Sequence, residues 1–238
     1  MIKFKGYDLT SKGIIVDELP KIQKPKKRID IYEIVGRNGF LSVDNNTYNS
    51  YNLQVQCHLA DNADMDEISA FLDGYGTISF DGVKESTAIV NNNISFETIR
   101  NSGFKKFILS FLINPIFEDI EATIKIGTFR LLTNYYTYTL TESLNYNTYP
   151  TELEIEIDSD TDFYINDRKF SLKLDSLSGS HYFLDCKNKE IFDSNGVNKS
   201  GYMSGDFPYL DTSGSNVIKC TTNPRTFKIT YHKPHLMG

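Results

Sequence analysis

The sequence predicts a mainly β protein built as two modules. Polar and apolar residues alternate at period two in several stretches, turn signals recur about every 8 to 12 residues, and one segment alone carries convincing helical spacing. A chain of 238 residues fits two β modules of ordinary size, which we place at 1–118 and 119–238. With 39% hydrophobic and 13% aromatic residues it has ample material for packed cores.

The first element with a clear outline is a strand from Ile29 to Val35. Gly36-Arg37-Asn38-Gly39 follows between apolar stretches and marks a turn with two positions suited to positive φ. It is no phosphate loop, because GxxxxGK and GxGxxG are both absent. From Asn52 to Leu59, Leu53, Val55, Cys57 and Leu59 alternate with Asn52, Gln54, Gln56 and His58, which makes a strand with one wet face. Asp61 to Gly74 reads as a helix: Asp61 or Asp64 can cap it, Met65, Ile68, Phe71 and Leu72 form a stripe, and Gly74 can end it. Asp81-Gly82 suits a two-residue hairpin turn within Phe80-Asp81-Gly82-Val83. In the next strand Phe107, Leu109, Phe111 and Ile113 line one face and Ile108 and Leu112 the other, which predicts a strand buried on both sides until Asn114-Pro115 stops it.

After Pro115 the texture shifts to Tyr, Thr and Asn over residues 128–150, read as the join between modules. In the second half the acids Glu152, Glu154, Glu156, Asp158, Asp160 and Asp162 share one parity, and Leu153, Ile155, Ile157 and Phe163 take the other. Asn166-Asp167 can fold Phe163–Ile165 back onto Phe170–Leu174. Asn188 and Asn195-Gly196 punctuate the next strands, HYFLDC and EIFDS. The final stretches, VIKCTT and TFKITYH, are expected to form a terminal hairpin through Asn223-Pro224.

Charge and composition exclude several functions. With 25 basic and 31 acidic residues the net charge is −6, so the basic excess that drives binding to nucleic acid or anionic lipid is missing. No apolar run reaches the length of a membrane span or a signal-peptide core, so a soluble protein made in a cytoplasm is expected. Cys57, Cys186 and Cys220 are odd in number, far apart and without a CxxC pair, which predicts reduced, buried thiols.

No stretch carries convincing chemistry, and no catalytic, cofactor or metal residue is assigned. Asp158, Asp160 and Asp162 have calcium-loop spacing, but Phe163 stands where the loop needs glycine and Lys169 where it needs a bidentate acid. His232 and His235 supply two imidazoles, and a closed zinc site would also require Cys220 nearby. Ser180 and His181 are adjacent, a spacing that sends strand side chains to opposite faces, and GxSxG is absent. Lys21, Lys24, Lys26, Lys27 and Arg28 crowd around Pro25 and read as a solvated turn, with contact to a polyanion or an acidic partner surface as the alternative.

Two stretches together resemble a known family. Ile29 to Gly39-Phe-Leu, followed by Tyr51 and the alternating strand, resembles the "strand, Gly-Arg-Asp-Gly, strand" opening of the distal tail proteins of long-tailed (siphovirus-type) phages, with Asn38 in place of Asp. His181-Tyr-Phe-Leu-Asp185-Cys186, Glu190-Ile-Phe, Asn195-Gly196, Ser204-Gly-Asp-Phe-Pro208-Tyr-Leu210 and Gly214-Ser-Asn216-Val-Ile218 resemble that family's galectin-like C-terminal module. Leu184 replaces the usual Ile, and Thr212-Ser213 stand where Pro-Gly is common. The resemblance covers about residues 2–232 and is weak between about 116 and 145.

It implies an N-terminal β-barrel or sandwich ring domain with one short helix, a C-terminal galectin-like β-sandwich, and a hexameric ring joining the tail tube to the tip or baseplate. The implied partners are further copies of itself, the tail tube protein, a tail-tip or tail-associated lysin or fibre protein, and receptor-binding proteins. The implied place is the virion tail, after synthesis in the bacterial host. No cofactor, membrane or sequence-specific nucleic acid is implied. Two other classes compete: a carbohydrate-binding sandwich, which the absence of tryptophan disfavours, and a cell-wall hydrolase. The Gly-rich loop from Asn195 to Asp206 is read as a sandwich loop, with partner docking as the alternative.

Overall fold

The computed structural model describes residues 1–36, 38–61, 63–98, 105–175, 180–212 and 214–236. The chain is mainly β and divides into two compact units, 1–120 with 235–238 and 121–234.

The first unit contains β1 (Lys3–Phe4), β2 (Tyr7–Asp8), β3 (Ile14–Val16), β4 (Lys27–Glu33), β5 (Phe40–Tyr48) and β6 (Tyr51–Leu59). Helix α1 (Met65–Leu72) follows, then β7 (Tyr75–Ser79), β8 (Lys84–Val90), β9 (Glu97–Thr98), β10 (Lys105–Ile113) and β11 (Phe117–Asp119). Its main sheet runs β2-β1-β7-β8-β10-β6-β3, while β4 and β5 form a separate two-stranded sheet. Leu53, Val55, Cys57 and Leu59 of β6 are buried beside Phe107, Leu109, Phe111 and Ile113 of β10, as the antiparallel register Cys57 to Phe107 and Leu53 to Phe111 requires. Phe4 joins them with ring centroids 5.3 Å from Phe111 and 5.8 Å from Phe71 of α1.

Asp64 caps α1 by accepting from the backbone N–H of Asp66 at 2.9 Å, and Asp66 and Glu67 place negative charge at the positive helix end. Ile68 and Leu72 are buried; Asp73 ends the helix and Gly74 follows it at φ +76°. The turn between β7 and β8 is four residues rather than two. The Asp81 carboxylate accepts from the N–H of Val83 and Lys84 at 2.8 and 2.9 Å, and that side-chain turn replaces the tighter backbone one.

The second unit contains β12 (Thr123–Ile126), β13 (Arg130–Leu132), β14 (Tyr135–Thr141), β15 (Glu152–Glu156), β16 (Thr161–Ile165) and β17 (Arg168–Leu172). It continues with β18 (His181–Asp185), β19 (Glu190–Asp193), β20 (Met203–Gly205), β21 (Ser215–Cys220) and β22 (Thr226–Tyr231). One sheet is β12-β22-β15-β18-β19 and the other β13-β14-β21-β16-β17-β20. Leu153 and Ile155 from the first sheet pack with Phe163, Phe170 and Ile218 from the second in one buried core. Phe163 and Phe170 stack at 5.1 Å, and Phe227 lies 6.3 Å from Phe163.

Several expectations are corrected. VIKCTT and TFKITYH form no hairpin: β21 pairs with β14 and β16, β22 with β12 and β15, so the Asn223-Pro224 connection passes from one sheet to the other. Both strands bury alternate residues, and that pattern suits facing sheets as well as one hairpin. Residues 128–150, read as a join, supply β13 and β14 of the second unit. The loop from Asn195 to Asp206 holds β20, which pairs with β17. The face of β10 opposite the core is open, with Ile108 47% and Leu112 37% exposed. The Asn166-Asp167 turn has both residues at positive φ, 49° and 65°, as a two-residue type I′ hairpin between β16 and β17 demands. Arg37 and Ser213, named in the sequence patterns, lie outside the described residues.

Candidate assembly surfaces

Directly opposed residues of an antiparallel pair share a face. In the β4–β5 hairpin Ile29, Ile31 and Phe40 lie on one face, opposite Asp44, Ser42 and Glu33; Tyr32, Leu41 and Val43 lie on the other with Asp30. All six apolar residues are more than two-fifths exposed, as are Ile34 and Val35 at the turn. Gly36 and Gly39 hold that turn at φ +82° and +92°, conformations costly for other residues.

Among the described residues β4 and β5 pair only with each other, so each presents one unpaired backbone edge. Two of the five residues of the basic cluster anchor the base: Lys27 binds Asp44, and the Arg28 Nε donates to Asn49 Oδ1 at 3.1 Å. Asn45 Nδ2 donates to Asp30 Oδ2 at 2.8 Å farther along. Lys21, Lys24 and Lys26 are exposed. The sequence carried the signal for a hairpin apolar on both faces, since Ile29 and Ile31 share one parity and Tyr32 and Ile34 the other.

The second surface is the outer face of β6 and β10. Ile108 stands opposite Gln56 and Leu112 opposite Asn52. A shallow groove of about 630 Å³ runs along it, lined by Gln54, Gln56, Asn91, Asn93, Lys106 and Ile108 among others. Asp17 closes one end through His58, with Lys106 Nζ 3.9 Å away. The face is apolar at its centre and rich in amides that can both donate and accept.

The residues weighed for chemistry are dispersed. Asp158 Oδ1 lies 2.7 Å from Arg225 Nε, Asp160 Oδ1 accepts from the Leu174 N–H at 2.8 Å, and Asp162 contacts Lys169 Nζ at 2.7 Å and Ser171 Oγ at 2.6 Å. Among the described residues no group of three His, Cys, Asp or Glu is placed to hold a metal ion. His181 Nε2 contacts Glu154 Oε1 at 2.9 Å and His235 Nε2 contacts Asp119 Oδ1 at 2.8 Å. The Cys220 thiol donates to the Tyr136 carbonyl at 3.5 Å. Cys57, Cys186 and Cys220 are all buried and free, and burial pushes the Cys57 and Cys220 thiols up to about 12 and that of Cys186 up as well.

Tyrosine stands out on the second unit's surface. The Arg168 guanidinium lies 3.7 Å over the Tyr209 ring, whose centroid is 5.6 Å from that of Tyr149. One face of Tyr209 is thus already covered.

The motif residues of the second half do structural work. Gly205 adopts φ +96°, and a Cβ there would meet the Lys169 carbonyl oxygen at 2.6 Å. Leu210 is fully buried and exchanges backbone hydrogen bonds with Thr148 at 2.8 and 3.0 Å. Asn216 and Ile218 are buried in β21.

No family model matches the sequence, and no curated protein matches it. Solved structures do match. The SPP1 Dit protein, described as a paradigm of the hub adsorption apparatus in phages infecting Gram-positive bacteria, aligns with a TM-score of 0.68 and 11% identity over 98% of this chain and 98% of that one. Chains of the phage P2 baseplate in its activated conformation align less closely. With Ca the TM-score is 0.45 at 7% identity, covering 91% of this chain and 93% of that chain. With Sr it is 0.49 at 8% identity, covering 94% and 92%. The fold class is one also found in a solved phage hub protein. In particular, the chain has the fold of the SPP1 Dit protein over nearly its whole length.

Proposed function

We propose that this chain is a distal tail protein: a non-catalytic structural component that forms a hexameric ring between the tail tube and the tail tip or baseplate of a long-tailed phage. The observation that carries the reading is the alignment of both β units, in order, with the hub protein of SPP1. The first unit is the ring former and the second the galectin-like module that meets tail-tip, fibre or receptor-binding proteins. The dispersed carboxylates and imidazoles support a role without chemistry. The net charge of −6 suits a passage that does not retain DNA.

Light scattering over a concentration series, with negative-stain images of the same fractions, tests this. A species of six 27.2 kDa chains forming open-centred rings is the expected result. A strict monomer at every concentration overturns autonomous ring formation.

A further inference from the structure

Asparagine precedes glycine at two places, Asn38-Gly39 and Asn195-Gly196. Asparagine is thermolabile, and a following glycine hinders its breakdown least, because no Cβ shields the backbone nitrogen that attacks the side chain. Both asparagines are exposed, and both glycines sit at positive φ, +92° and +75°. Exposure therefore does not separate the two sites; hydrogen bonding does.

Asn195 is clamped. The Gly196 N–H donates to the Asp193 carbonyl at 3.0 Å, and Asp193 Oδ1 accepts from the N–H of Asn195 and of Val197 at 2.9 and 3.0 Å. Asp193 is itself buried, with Oδ2 3.5 Å from Lys199 Nζ. The nitrogen that would attack is thus engaged, and the turn cannot swing without breaking bonds to a buried anchor. Asn38 has no such restraint. Among the described residues neither its side chain nor the Gly39 N–H has a hydrogen-bond partner, and a Cβ on Gly39 would meet nothing within 4 Å.

We infer that Asn38 is a modification site at which the chain deamidates spontaneously, while Asn195 is protected by the fold. The Gly39 nitrogen gives its proton to hydroxide and bonds to the side-chain carbonyl carbon of Asn38. The carbon–nitrogen bond of the side-chain amide then breaks, and that nitrogen takes a proton from water and leaves as ammonia. Water opens the resulting five-membered imide at either carbonyl, which yields aspartate or, with the backbone rerouted through the side chain, isoaspartate. Each conversion adds one negative charge to a turn bordered by the exposed Ile34, Val35 and Phe40. The isoaspartate form also lengthens the backbone by one methylene between Glu33 and Phe40, the strand pair nearest the turn. The change needs no partner and does not depend on the hub reading.

The test holds the full chain at mildly alkaline pH and follows each asparagine by peptide mapping with fragmentation. Since one lost backbone hydrogen bond adds about 1–3 kcal/mol to a barrier, Asn38 should convert at least about tenfold faster than Asn195. The rate should rise with pH, and both aspartate and isoaspartate should form. Hydroxylamine, which traps the imide, should label the native chain at position 38. In guanidinium the clamp on Asn195 is gone, so the two sites should convert at similar rates. Asn38→Gln, which would have to close a larger ring, should stop the change at this position with melting unaltered. Equal rates at the two sites in the native chain, or an Asn38 that keeps its amide until the chain is unfolded, overturn the assignment. An Asn195 that stays slow in guanidinium overturns its protection by the fold.

Discussion

Asn166, in the type I′ turn, donates through its side-chain amide to the side-chain oxygen of Asn216, a residue fully buried in β21. That oxygen also accepts from the Asp211 N–H at 2.9 Å, and Asn166 Oδ1 in turn accepts from the Val217 N–H at 3.0 Å. The asparagine of the Gly-x-Asn-x-Ile pattern is therefore a latch between a turn, a loop and a strand. Replacing Asn216 by Ala strands two donors, each costing about 1–3 kcal/mol when left unpaired. We expect Asn216→Ala to lower the urea midpoint without changing its slope.

Gly205→Ala tests the other motif residue. The substitution forces an unfavourable φ and a clash with backbone, and strain of this kind costs about 1–3 kcal/mol. The expected outcome is a lower melting temperature. Gly201→Ala, where a Cβ meets nothing within 4 Å, serves as the neutral control.

Ion pairs give the second unit an acid-sensitive stability. Lys169 and Ser171 hold the Asp162 carboxyl below its ordinary value, and Lys233 and Lys125 do the same for Glu142. Burial works against ionisation of Glu154, but its bonds to Lys228 and His181 outweigh it. A depressed carboxylate contributes stability above its unfolded value and loses that contribution as pH falls through the folded one. Urea midpoints should therefore fall progressively below about pH 5. Asp162→Asn should flatten part of that slope.

Among the described residues Lys199 is the cation of the second unit's most enclosed ion pair, with Nζ 2.7 Å from Asp175 Oδ2 and 3.5 Å from Asp193 Oδ2. Lys199→Met removes the charge and leaves two acids facing each other. Its melting temperature should drop by several degrees at neutral pH, and less at pH 4, where the acids share the burden by taking up protons.

The raised thiols of Cys57, Cys186 and Cys220 should resist a thiol reagent in the native protein at pH 8. All three should react once the chain is unfolded in guanidinium. Reaction of any one before unfolding would show that its core opens locally.

What the sequence made legible was local. β6 shows because one wet face leaves a strict alternation from Leu53 to Leu59, and α1 because Asp64 and the Ile68–Leu72 stripe agree. Pairing between distant strands did not show: β21 and β22 carry alternations that fit a hairpin or two facing sheets equally, and a five-residue connection permits both. Ile108 and Leu112 were misassigned for a related reason. Apolar residues on both parities call for cover on both faces, but nothing in one chain's sequence says whose atoms provide it. The hairpin from Lys27 to Tyr48 was readable as strand, turn, strand, while its exposure followed only from the structure, in which, among the described residues, neither strand pairs with another sheet.

The sheet-to-sheet passage of the last long strands bears on mechanical load. A terminal hairpin at a sheet edge opens like a zipper, one pair of hydrogen bonds at a time. β22 is instead gripped on both sides, by β12 and β15. A pull along this strand must slide two antiparallel ladders at once, with the bonds loaded together in shear. The second unit thus resists tension at its C-terminal end with its whole inner strand.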